Sequence, residues 1–152
     1  MAKQDCVNFW NQFQEKLKSE NINFKFYEFP SDGKSYFSGK VNDPSNGSTG
    51  KPFIGVDLVN RKGFIRVNVY IPNDKVFYDS LFAEKDEIEK VFGNKLQWNR
   101  ECRQKASRIL VEIPGLNFKC SNNYDILMFN LIETIKKFII TIEKKIKSHR
   151  TF

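Results

Sequence analysis

A single histidine, three scattered cysteines and no long apolar run set the first limits on this chain. His149 stands near the C-terminal end, where a Ser–His–Asp hydrolase would have its general base on a fraying helix terminus that nothing holds in place. Cys6, Cys102 and Cys120 lie far apart and lack the close C-x-x-C pairs of a zinc site or a disulfide framework. They read as reduced, packed thiols, and neither a metal nor another cofactor is expected. No apolar stretch approaches the ~18 residues that crossing a bilayer takes. The opening Met1-Ala2-Lys3-Gln4-Asp5 is polar, with no signal-peptide core. These absences predict a cytoplasmic protein without a membrane segment.

What is present is a folding sequence. Of 152 residues 40% are apolar and 15 are Phe, too many and too regularly spaced for a disordered chain. With no internal repeat and no linker, the expectation is one domain over 1–152, interrupted by a flexible loop of Asn, Asp, Pro, Ser, Gly and Thr at about 42–51. The formal charge of +7, from 25 basic and 18 acidic residues, permits attraction to a polyanion and equally serves solubility.

Periodicity supplies the elements. Cys6, Trp10, Phe13 and Leu17 recur at helical spacing from Asp5 to Glu20, with Asp5 as the expected cap. Phe24 to Phe29 alternates and stops at Pro30, and Ser35 to Val41 is expected to pair with it across a turn. Two stronger strands, 53–59 and 64–71, flank Asn60-Arg61-Lys62-Gly63. In the second, Ile65, Val67, Val69 and Ile71 share one face, while Phe64, Arg66, Asn68 and Tyr70 share the other. One face fully buried and one mixed predicts a hairpin at the sheet centre. Helical pieces follow around Val76–Leu81 and Ile88–Phe92, the latter closed by Gly93. Strands are predicted at 96–98 and 108–113, and a long amphipathic helix at about 122–148. The predicted class is α+β, a mainly antiparallel sheet with an N-terminal helix, a middle helix and a long C-terminal amphipathic helix packed on it.

Several constellations invite a chemical reading. Gly47-Ser48-Thr49-Gly50-Lys51 suggests a phosphate loop, but Ser45 stands where its first glycine belongs and Pro52 where its Ser or Thr belongs. A restriction-type nuclease would place acidic residues and a lysine together at a sheet edge. Asp57 lies on a strong strand, yet its partner strand has no D/E-x-K, and Asp32-Gly33-Lys34 falls in a turn. No catalytic residue is therefore assigned. The basic stretch Trp98, Arg100, Arg103, Lys105 and Arg108 offers guanidinium forks beside an indole, and it is the candidate polyanion-binding set. Against it stands the plainer alternative of a core Trp98 with Arg108 paired to a carboxylate on a helix. Lysines along the last helix read as the solvated outer side of a core helix.

The run Lys75-Val76-Phe77-Tyr78-Asp79-Ser80-Leu81, then Lys85-Asp86-Glu87-Ile88-Glu89, Gly93-Asn94-Lys95-Leu96-Gln97-Trp98 and Lys105-Ala106-Ser107-Arg108-Ile109 resembles the domain of unknown function 4268 family of bacteria and archaea. The likeness is strongest from about Phe53 to Ile113, and Phe9, Trp10 and Phe13 with the final helix agree in position. It implies an association with restriction-endonuclease-like nucleases, at whose C-terminal side such domains often stand, and it supplies no catalytic residues. Within it, Glu87 or Glu89 is expected to hold Arg108 as a structural pair. The resulting expectation is a non-catalytic binding or accessory domain, with nucleic acid or a nuclease-like protein as partner. The alternatives are a protein-interaction or homo-oligomerisation domain, and a nucleotide-binding or diverged enzymatic domain.

Overall fold

The fold is built outward from the hairpin that the alternation marks. The computed structural model describes residues 2–20, 24–26, 34–41, 52–72, 74–100, 106–118 and 124–149. Strands β3 (Phe53–Val59) and β4 (Phe64–Ile71) pair antiparallel through the whole of β3, and a 3-10 turn at Asn60–Lys62 joins them. Gly63 closes that turn at φ 75°, a left-handed conformation that an L side chain resists. Its carbonyl then accepts two amides from a distant segment, Gly115 N–H at 3.0 Å and Leu116 N–H at 3.2 Å.

Around the hairpin lie β1 (Phe24–Phe26), β2 (Tyr36–Val41), β5 (Gln97–Asn99) and β6 (Ser107–Pro114), in the order β1-β2-β3-β4-β6-β5 with every pair antiparallel. The hairpin is therefore central, as its buried face predicts. The expected pairing of the 24–26 and 36–41 strands is also present, with Phe24 opposite Val41. The loop at 42–51 lies outside the described residues, as do the turn at 31–33 and most of the connection from 99 to 107.

Helix α1 (Ala2–Lys18) buries Cys6, Phe9, Trp10 and Phe13 on one stripe. It begins three residues before Asp5, because Ala2, Lys3 and Gln4 are themselves good helix formers. Asp5 thus sits in the first turn instead of capping it, with its charge still at the positive end of the helix dipole. The Trp10 indole donates to the Lys34 carbonyl at 2.7 Å, which satisfies the one polar atom of a fully buried ring. The middle helix is two helices, α2 (Lys75–Phe82) and α3 (Lys85–Phe92). Asp74 caps the first by accepting from Phe77 N–H at 2.9 Å, and Gly93 ends the second. Helix α4 (Tyr124–His149) lays Leu131, Ile135, Phe138 and Ile142 into the core, each essentially inaccessible. Ile54, Val56, Ile65, Val67, Val69, Ile109 and Val111 meet the helices from the sheet side, in one continuous apolar cluster. Each such side chain contributes about 1.5–3 kcal/mol on burial, so this layer carries the fold. Among the described residues no helix is long and apolar enough to cross a membrane.

Candidate functional site

Because strand side chains alternate, burying one face of β3, β4 and β6 sends a second set to the opposite side, which no described helix covers. The register arranges that set in three rungs. Asp57, Arg66 and Glu112 form one; Gly55, Asn68 and Leu110 the next; Phe53, Tyr70 and Arg108 the third. From β2, Tyr36 stands opposite Asp57, half exposed, with Lys34 Nζ 5.9 Å from its ring centroid.

The middle rung shows how closely this face is built. A methyl group on Gly55 would come within 3.0 Å of Asn68 Nδ2, so glycine leaves the space that Asn68 fills. Asn68, buried, donates from that nitrogen to the Gly55 carbonyl at 3.3 Å. On the third rung Phe53 and Tyr70 stack with centroids 5.0 Å apart, and on the first strand position of β4 the Arg66 guanidinium lies 5.5 Å from the Phe64 ring.

The charges on this face are incompletely matched. Burial pushes the Asp57 carboxyl above its ordinary value, and nearby Arg66 and Arg108 draw it part of the way back. Arg108 Nε is buried without a hydrogen-bond partner. A guanidinium nitrogen in that state costs free energy. The arrangement offers forked donors for an anion and flat rings beside them.

The basic set read from the sequence does not gather on one surface. Trp98 stands opposite Ile109 and Asn99 opposite Arg108, so Trp98 points to the helix side and Arg108 to the other. The Trp98 ring packs edge-on to Tyr78 and Phe82 at 6.1 and 5.5 Å, and its indole N–H donates to Glu89 Oε2 at 3.1 Å. Arg100 is spent on Asp79 through two bonds, Nε to Oδ1 at 2.8 Å and Nη2 to Oδ2 at 3.1 Å. Arg103 and Lys105 lie outside the described residues.

The structural pair between Glu87 or Glu89 and Arg108 is likewise not formed. Glu89 accepts from Leu96 N–H at 2.8 Å and from Trp98, and the backbone bond foremost holds its carboxyl below the ordinary range. Glu87 is exposed on α3, with the sheet between it and Arg108. The Glu89 carboxylate instead holds the start of β5, through the Leu96 amide and the Trp98 indole.

One contact had no signature in the sequence. Lys75 Nζ donates to the carbonyls of Arg100 and Ala106, the latter at 2.8 Å, and lies 3.1 Å from Ser107 Oγ. Ser107, fully buried, donates to the Arg100 carbonyl at 2.9 Å. This clamp closes the two ends of the β5–β6 connection on α2. Among the described residues no group of three or more His, Cys, Asp or Glu side chains is placed to hold a metal ion.

The residues of the open face that sequence reasoning left unassigned are Asp57, Arg66, Asn68 and Tyr70. The shared face of Arg66, Asn68 and Tyr70 was visible in the alternation of β4; that Asp57 and Arg108 join them required the register of β3 and β6. Compared with known proteins, the chain matches the family model described as "Domain of unknown function (DUF4268)" over residues 7–146. No curated protein and no solved structure matches it.

Proposed function

Starting from the chain's membership of the DUF4268 family, a domain of unknown function, we propose that it is a non-catalytic binding module that takes single-stranded nucleic acid on the face of its sheet that no described helix covers. The observation that carries this reading is the third rung, where Arg108 stands beside the stacked rings of Phe53 and Tyr70, all three partly exposed. A sheet face with partly exposed aromatic rings and arginines can stack bases and hold the phosphates between them. The excess of basic residues, +7 overall, favours approach of such a ligand. Asp57 and Glu112 stand on either side of Arg66, roughly two strand spacings or about 10 Å apart, an arrangement suited to fixing geometry more than to moving protons. A cytoplasmic role beside a restriction-endonuclease-like nuclease, the association that the resemblance implies, is compatible with a nucleic-acid ligand.

The test is a fluorescence-anisotropy titration of labelled single-stranded DNA and RNA at low and moderate salt, with a duplex for comparison. Binding of the single strand that weakens as salt rises and drops at least tenfold in Arg108→Met supports the reading. No binding at low salt, or equal binding by the variant, rules it out.

A further inference from the structure

On the opposite side of the molecule, helices α3 and α4 border a groove of about 200 Å³ whose floor includes Leu81 and Ile88. The two helices run antiparallel here, since Glu84 at the start of α3 pairs with Lys145 while Phe92 at its end meets Phe138 with ring centroids 4.7 Å apart. Each wall carries a large apolar residue facing solvent, Val91 on α3 and Ile140 on α4, both 64% exposed. One helical turn from each stands an exposed charge, Glu87 on the α3 wall and Lys144 on the α4 wall. Neither takes part in the ion pairs seen among the described residues.

We infer that this groove is the contact surface for a second copy of the chain. A two-fold axis lying along the groove sets α3 of one copy over α4 of the other without changing the level of either helix. The apolar level then brings Val91 onto the partner's Ile140, and the charged level brings Glu87 onto the partner's Lys144, twice over. Self-complementarity of this kind is what an isologous dimer requires, and it yields a four-helix packing of antiparallel neighbours. Further along α4, Ile126 and Phe129 are 74% and 62% exposed at positions that share the azimuth of Ile140.

Sedimentation velocity of the full chain from low micromolar to millimolar concentration tests this, with helix content followed by circular dichroism. The expected result is a monomer–dimer equilibrium whose Kd rises at least tenfold in Glu87→Lys, in Lys144→Glu and in Ile140→Asp. Glu87→Lys combined with Lys144→Glu restores the original value, because the exchanged charges meet again across the axis. A wild-type monomer throughout, which would leave the groove to some other protein, overturns the inference. So do single variants that dimerise normally, or a double variant as weak as the singles.

Discussion

Arginine meets carboxylate in two regions of this molecule, and the two are built in opposite ways. At the α2–β5 edge every partner is engaged. Arg100 grips Asp79 with two bonds, Glu89 takes a backbone amide and an indole, and Lys75 bridges two carbonyls and a buried serine. The Asp79 carboxyl is held below its usual value, first by its hydrogen bond to Arg100 and then by the charges of Arg100 and Lys75. On the face that no described helix covers, burial holds Asp57 above its usual value and leaves Arg108 Nε unsatisfied. A saturated cluster stabilises a fold; an unsaturated one is held in place by the fold and is open to a ligand. Sequence position hides the distinction, since Arg100 and Arg108 are eight residues apart and look alike.

Substitutions can break this contrast. The largest effect is expected from Lys75→Met, which removes the clamp and takes the ammonium from the Ala106 carbonyl, while Ser107 keeps its own bond to the Arg100 carbonyl; stability in urea should fall by about 1–3 kcal/mol. A loss too small to measure would mean that water replaces the ammonium at no cost. Arg108→Met is the counterpart. Removing a guanidinium whose buried Nε has no partner should lower stability by less than Lys75→Met does in the same urea titration. A loss comparable to that of Lys75→Met would make Arg108 a structural residue and erase the difference between the regions.

The smallest but most direct test is a carboxyl-carbon NMR titration. Asp57 should protonate at a higher pH than Asp79, each identified by its Asn variant. The linked stabilities have opposite signs. Asp79 has a depressed folded pKa, so its contribution is present above the unfolded value and is lost as pH falls through the folded one. Asp57 has a raised folded pKa, so its charged form is the costly one, and its share of stability grows as pH falls through that value. Coincident titrations would show that the two environments do not differ electrostatically.

What could be read from the sequence follows from the range of each interaction. The central hairpin is written in local alternation, and Ile65, Val67, Val69 and Ile71 are buried as that pattern requires. Helix ends at Asp74 and Gly93 are equally local. The candidate face was only half legible, because a strand's phase relative to its neighbours decides which side Arg108 takes. Chain proximity suggested Trp98 as its companion, yet pairing sets Trp98 against Ile109. The Lys75 clamp spans 31 residues to Ala106 and depends on two backbone carbonyls, which carry no residue-type signal.

The doubly used carbonyl of Gly63 gives the molecule an internal gauge. Because that oxygen holds the amides of Gly115 and Leu116, the hairpin tip and the segment leading from β6 towards α4 cannot part independently. Whatever peels the tip open must release both protons together, so their deuterium uptake reads the integrity of a turn more than 50 residues earlier in the chain.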